Sequence, residues 1–320
     1  MKAMVITGFG GPEVFEEREV PRPDPGPGEV LVKVHATSVN PIDGKVRRGG
    51  PWGVGVHPPA IIGYDVAGVV EASGPGVWDF KPGDEVYYTP ESWTLPGSFA
   101  EYHVAREAVV ARKPANLTFL EAASLPLAGV TALEALIGRA RLQVGETVLI
   151  HAGAGGVGSL AIQIAKAAGA RVFTTCRGDN LDLVRRLGAD RAIDYTAEDF
   201  VAAIQRETGK ARVDVVLDPV GGDATARSTE VMKPFGRMVC IVKSTADLGQ
   251  AFSRNLTIYY QTMQRSRARL DHLRTLVEGG QVKPVIDSVL PLAGVAAAHE
   301  RLERGGVRGK IVLEVVGKGG

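Results

Sequence analysis

Of all the segments in this 320-residue chain, the run Gly153-Ala154-Gly155-Gly156-Val157-Gly158 constrains the fold most. It follows an apolar stretch at 147–151. It opens a segment in which Val157, Leu160, Ala161, Ile164, Ala165 and Ala168 recur at the spacing of one helix face. A G-x-G-x-x-G pattern between a strand and a helix has a physical task. The first glycine permits a tight turn, the second lets backbone N–H groups approach a diphosphate, and the third lets helix pack on strand. The positive end of the helix then faces the anion. Dinucleotide binding is the expectation, and the alternative is a glycine-rich turn in an ordinary α/β fold.

The surroundings favour the first reading. From Thr147 onward, strand-like runs at 147–151, 171–176, 191–195 and 213–218 alternate with helical patterns reaching 168, at 180–187 and at 197–208. Such alternation predicts a parallel sheet covered by helices. Two further β-like runs, 237–242 and 256–261, complete a six-stranded sheet, a helix follows at 267–278, and the β-run 309–316 returns to the first domain. The first 110 residues differ in character: short β-like runs such as 30–34 and 66–71 are separated by Pro/Gly-rich turns at 21–28 and 49–59. Thr118-x-x-Glu121 is a capping-box pattern that opens a helix, and Pro126 interrupts it. A boundary near residue 120 is expected.

Charge and cysteine content narrow the function classes. Thirty-seven Lys+Arg against 36 Asp+Glu leave a net charge of +1, which gives no electrostatic reason to expect nucleic acid or an anionic membrane as partner. The longest uncharged stretch, 147–165, is broken by His151 and a cluster of glycines, so no membrane span is expected. The opening residues lack the apolar core of a secretory signal. Cys176 and Cys240 each lie in a strand-like run rather than in a disulfide framework, which fits a reducing cytoplasm. The six histidines are scattered, with no metal-ligand spacing among them.

The choice of nucleotide is read about 20 residues past the glycines, where a carboxylate would bind the ribose 2′-OH of NAD. Here the strand ends Thr175-Cys176-Arg177-Gly178. No acid stands there, and the Arg177 guanidinium can fork onto a 2′-phosphate, so NADPH is expected. Tyr195, at the end of the next strand, is placed beside the adenosine phosphate, or packs with its hydroxyl in water.

At this point the chain resembles the zinc-independent quinone oxidoreductases, a zeta-crystallin-like family of the medium-chain dehydrogenase/reductase superfamily. The residues that carry the resemblance are Ser38-Val39-Asn40-Pro41-x-Asp43, Gly63-Tyr64-Asp65-x-Ala67-Gly68-x-Val70, Lys81-Pro82-Gly83-Asp84-x-Val86, Gly97-Ser98-Phe99-Ala100-Glu101-Tyr102, Ala128-Gly129-x-Thr131-Ala132, the glycine loop, Asp218-x-Val220-Gly221-Gly222, Ala298-His299 and Gly309-Lys310-Ile311-Val312-Leu313. What the resemblance implies is an α/β protein: a GroES-like β-rich catalytic domain from residues 1–122 and 262–320, and a Rossmann-type NADPH-binding domain from 123–261. A cofactor cleft at their junction and a homodimer through Rossmann sheet edges are implied as well.

Departures from the zinc-using relatives bear on mechanism. Where those relatives carry their ligands, this chain has Asn40, Tyr64-Asp65 and Leu127, and 86–99 contains no cysteine. No metal is expected, and hydride delivery to an already electrophilic quinone or α,β-unsaturated carbonyl compound becomes the natural chemistry. Candidate catalytic residues by resemblance are Asn40, Asp43, Tyr64 and Thr131. Tyr64 either donates to the developing oxygen or fills the vacated volume, while Asp43 is expected to order its loop. Gly153 to Gly158, Arg177, Tyr195 and, more weakly, the tail residue Lys310 are assigned to the cofactor. Asp65 and Asp218 are read as loop-ordering acids. Lys45, where the family often has a tyrosine, either meets an anionic substrate or joins Arg47 and Arg48 on a solvated face. Trp52 and Trp93 either stack on a flat acceptor or cover a core edge. The competing readings are an enoyl thioester or aldehyde reductase of the same superfamily, and a non-catalytic NADPH-binding protein of crystallin or sensor type.

Overall fold

The computed structural model describes residues 1–91, 96–209 and 212–315, so Trp93 and Val316 lie outside the described residues. The chain divides into two units, Met1–Leu127 with Arg265–Glu278 and Pro284–Gly320, and Ala128–Gln264 with Gly279–Lys283.

The first unit begins with β1 (Lys2–Ile6), β2 (Phe15–Glu19), β3 (Glu29–Val39), α1 (Pro41–Arg47), β4 (Ala60–Ile61), β5 (Val66–Ser73), β6 (Glu85–Tyr88), β7 (Tyr102–Arg106), β8 (Ala111–Arg112) and α2 (Phe119–Ala123). β1 lies between β2 and β4 in a small antiparallel sheet, while β3 pairs antiparallel with both β5 and β7. Central placement explains why Val30, Leu31, Val32, Val34 and Ala36 are all buried instead of alternating. Helix α2 starts where the capping box predicts: Thr118 N donates to the Glu121 carboxylate at 2.9 Å, and Glu121 N donates back to the Thr118 hydroxyl.

After α3 (Pro126–Leu133) the second unit runs β9 (Thr147–Ile150), α4 (Gly156–Ala167), β10 (Arg171–Cys176), α5 (Leu181–Arg186), β11 (Arg191–Asp194), α6 (Phe200–Thr208), β12 (Val213–Asp218), α7 (Asp223–Ser228), β13 (Met232–Cys240), α8 (Gly249–Ser253) and β14 (Thr257–Tyr260). All neighbouring strands are parallel, in the order β11-β10-β9-β12-β13-β14. That is the 3-2-1-4-5-6 order of a dinucleotide-binding sheet, and it puts the reversal of strand order at β9. Leu149, Phe173, Ile193, Val216 and Met238 form its core with Phe200 and Ile204 of α6. β13 begins earlier than its apolar run because a register shift lets Lys233 to Gly236 loop out of the ladder. Helix α4 is buried more widely than one stripe. The segment 279–283 covers Gln163, whose amide exchanges hydrogen bonds with the Lys283 backbone at 2.9 Å in both directions.

The chain then returns to the first unit with α9 (Arg267–Glu278), β15 (Ile286–Pro291), α10 (Val295–Glu303) and β16 (Lys310–Glu314). β16 pairs antiparallel with β3, opposing Ile311 to Val39, and this register brings Lys310 beside Asn40. Met4, Ile6, Val46, Tyr64, Phe99 and Leu313 are among the buried residues packed there. Cys176 and Cys240 are free and buried, and burial pushes their thiols up to about 11 and about 12. Among the described residues no helix is long and apolar enough to cross a membrane.

Candidate functional site

In the second unit the turn from β9 into α4 is built around two glycines that no other residue could replace. A Cβ on Gly153 would lie 2.0 Å from Thr174 Oγ1, and one on Gly158 would lie 2.2 Å from the Ala152 carbonyl oxygen and 2.8 Å from Gly153 Cα. Gly155 is different, since a Cβ there would meet only Ala152 O, at 3.4 Å. That side of the loop is open. The first N–H groups of a helix have no intrahelical partner, so Gly156, Val157 and Gly158 present a positive edge beside this opening. An open glycine at the helix start and backbone amides without helical partners are what a diphosphate requires, so the loop fits a dinucleotide.

At the end of β10, Cys176 is buried and Arg177 is exposed, opening a 3-10 turn over Gly178–Asn180. The carboxylate missing here is found one strand away. Asp194 closes β11, and it accepts from Thr196 Oγ1 at 2.7 Å and Thr196 N at 3.0 Å. Those bonds first, then the Gly178 backbone and the Arg177 charge, hold its carboxyl below the usual range. A Cβ on Gly178 would be 2.6 Å from Asp194 Oδ2, so this acid abuts the turn that presents Arg177. An acid ending the third strand was the available sequence signal for it. Tyr195 lies one residue past β11 and is exposed, with its N–H bonded to Cys176 O. Thr131 is buried on α3, and its carbonyl accepts from Gln261 Nε2 at 3.2 Å.

The first unit gathers Asn40, Asp65 and Lys310. Lys310 is 5 % exposed rather than a surface residue of the terminal strand. Its ammonium donates to Asn40 Oδ1, to Val39 O at 3.1 Å and to Asp65 Oδ2 at 3.2 Å. Asn40 Nδ2 in turn donates to Asp65 Oδ2 at 2.7 Å and Ser38 O at 3.3 Å, so both amide hydrogens are engaged. Asp65 also accepts from Ser38 Oγ at 2.6 Å and from Leu127 N at 2.7 Å. Asp218, in the second unit, likewise orders its loop by accepting from Val220 N and Gly221 N.

Asp43, one turn into α1, accepts from Asn40 N at 2.7 Å through Oδ2, while the buried Oδ1 has no hydrogen-bond partner. Burial pushes its carboxyl well above the usual range, outweighing the Asn40 bond and the nearby Lys310 and Arg47 charges. Tyr64 is buried as well, and burial followed by the Asp43 charge raises its phenol. Tyr64 therefore holds its proton at neutral pH, and Asp43 is biased toward its protonated form. Arg47 does not belong to a solvated face. It is fully buried, with its guanidinium 2.9 Å from His299 Nδ1 and 2.7 Å from Glu303 Oε1, because α10 packs over it. Lys45 lies over the Trp52 ring at 5.2 Å, a cation–π contact that joins two residues read separately from the sequence.

A zinc ion does not fit this donor set. Among the described residues no group of three His, Cys, Asp or Glu side chains could hold a metal, and Asp65 is already neutralised by Lys310.

Residues 26–115 match the alcohol dehydrogenase GroES-like domain, and residues 187–313 match the family described as zinc-binding dehydrogenase. The chain is 38% identical to an Arabidopsis thaliana NADPH-dependent alkenal/one oxidoreductase of the chloroplast, over 98% of this chain and 79% of that one. Among solved structures it is similar to the quinone oxidoreductase from Coxiella burnetii, with a TM-score of 0.91 and 38% identity over 99% of both chains. A mycobacterial protein solved in complex with NADPH gives a TM-score of 0.88 at 31% identity, covering 98% of this chain and 100% of that one.

Proposed function

The chain belongs to the quinone oxidoreductase family of the medium-chain dehydrogenase/reductase superfamily, and from that premise we propose that it is an NADPH-dependent reductase of quinones or α,β-unsaturated carbonyl compounds. The observation that carries this reading is the glycine cradle at Gly153–Gly158 followed by Arg177, in place of a carboxylate, at the end of β10. Residues 123–261 take the cofactor in this reading, and residues 1–122 with 262–320 the acceptor.

When bound, NADPH supplies the hydride. The amides of Gly156, Val157 and Gly158 would hold the diphosphate over the turn that Gly153, Ala154 and Gly155 shape, and the Arg177 guanidinium would hold the 2′-phosphate with Tyr195 beside it. On the acceptor side Tyr64 keeps its proton, so it can donate a hydrogen bond to the oxygen on which negative charge develops, while Asp43 orders the start of α1 by accepting from Asn40 N. Asn40 has both amide hydrogens bound, and Lys310 acts by orienting it. Thr131, buried on α3, would by resemblance to the family contribute its hydroxyl to the cofactor site.

The deciding experiment follows NADPH oxidation by the purified protein with a panel of quinones, enones, enoyl thioesters and aldehydes, and identifies the products. Turnover on quinones or C=C reduction of enones is expected. Reduction confined to thioesters or aldehydes would favour the related reductase reading, and tight NADPH binding without turnover would favour a non-catalytic binding protein. We also propose a homodimer in a reducing cytoplasm. β14 forms an edge of the parallel sheet, and exposed Tyr260 and Phe252 lie on and near it. Sedimentation of the purified protein at twice the chain mass is expected, and a monomer at micromolar concentration would remove this part.

A further inference from the structure

His151 stands between the last residue of β9 and the glycine loop, and its ring is 2% exposed. Nδ1 lies 3.0 Å from Thr175 Oγ1, Nε2 lies 2.8 Å from Ser228 Oγ at the end of α7, and the Phe200 ring of α6 packs edge-on at 4.9 Å. The hydrogens can be assigned by counting. Ser228 has one hydroxyl hydrogen, and it goes to the Ala224 carbonyl at 2.6 Å. Nε2 must therefore donate to Ser228. Burial holds the imidazole neutral, with its basicity pushed down to about 4 against the opposing charge of Asp218. Nδ1 is then bare, and it accepts the hydroxyl hydrogen of Thr175. With that hydrogen spent, Thr175 Oγ1 can only accept.

The N–H that reaches it is that of Ala152, at 3.3 Å. The carbonyl of the same threonine accepts from Gly153 N at 2.9 Å. One residue thus holds two successive amides at the foot of the loop. Ala152 needs such a hold, because it sits at φ 50°, a left-handed conformation that non-glycine residues adopt only under strain. Its carbonyl accepts from Gly155 N at 3.0 Å and defines the space at Gly158, so the position of Ala152 is transmitted to the amides that follow.

We propose that His151 is a positioning residue for the nucleotide: as a neutral Nε2–H tautomer braced by Ser228, it turns the Thr175 hydroxyl so that Ala152 and the diphosphate-binding amides are held in place. The proposal rests on the NADPH reading above. Because the diphosphate is common to NADPH and NADH, its signature differs from that of Arg177.

The test is fluorescence titration of the full-length protein with NADPH and with NADH, together with kcat at saturating NADPH. His151→Leu and Thr175→Val are each expected to raise both dissociation constants by the same factor, about tenfold for one lost hydrogen-bond lock. Ser228→Ala, remote from the loop, should raise both by a smaller common factor. In all three kcat should stay within about twofold, and Thr175→Ser, which keeps the hydroxyl, should retain the wild-type constants. If His151→Leu does not fold, Thr175→Val and Ser228→Ala decide the matter. Unchanged constants in those folded variants, a rise for only one nucleotide, or a fall in kcat at unchanged affinity would overturn the proposal. Wild-type protein that binds neither nucleotide would instead remove the reading beneath it, and the proposal with it.

Discussion

Arg177 and Lys310 are both cations near the ends of strands, yet they have opposite circumstances. Arg177 is exposed at the end of β10, beside the turn that Asp194 abuts, where the proposed reading places the 2′-phosphate. Arg177→Ala is expected to raise the NADPH KM by about ten- to a hundredfold, the scale of a lost charged hydrogen bond, and to leave the NADH KM within about twofold. Initial-rate kinetics with both nucleotides check this, and equal effects would count against a 2′-phosphate contact. Lys310 is closed in by protein acceptors. Lys310→Met leaves Asp65 charged and buried without its counterion, which should destabilise the first unit by about 3 kcal/mol in urea titration. A loss under about 1 kcal/mol would mean that the ammonium behaves as a surface group.

The strand–turn–helix element from β9 to α4 separates two uses of glycine. Gly158 is required by backbone packed against it, so Gly158→Ala forces the Ala152 carbonyl away and should cost about 2 kcal/mol of stability as well as nucleotide binding. Gly155 faces open space, on the side where the proposed reading places the nucleotide. Gly155→Ala should therefore leave the melting temperature close to wild type while weakening NADPH binding. Differential scanning fluorimetry alongside binding titration distinguishes the two, and equal losses of stability would contradict the division.

Across the whole molecule, stability should depend on buried histidines more than on the surface. Burial pushes His103 and His151 down to about 4, and burial with the Arg47 charge pushes His299 to about 3, from an ordinary value of 6.5. A histidine depressed in the folded state stays neutral there while the unfolded chain takes up a proton. Its contribution is thus complete above about pH 6.5 and declines as pH falls toward 4. Asp43 acts in the opposite sense, since its raised carboxyl lets the folded chain bind a proton that the unfolded chain releases. Three strongly depressed histidines, with His35 lowered in the same direction, outnumber the one raised aspartate, so stability is expected to fall as pH drops from about 6.5 toward 4. Urea unfolding at several pH values measures this slope, and His103→Asn, which removes one group in contact with Tyr88 and Pro96, should lower it by about one proton.

Much of this architecture could be read before any coordinates. β10, β12 and α9 fall at the residues their spacing indicates, and the glycine run opens a helix, because periodicity and turn sterics act over a few neighbouring positions. Arg177 at a strand end was legible for the same reason. Side-chain partnership was not. Lys310 meets Asp65 across 245 positions and Arg47 meets His299 across 252, so a terminal-strand lysine and a member of a basic run became buried ions only when the chain ends packed together. The hydrogens of His151 are likewise settled by Ser228, 77 residues away. Local pattern specifies which elements form, whereas burial and hydrogen-bond satisfaction depend on neighbours that only folding supplies.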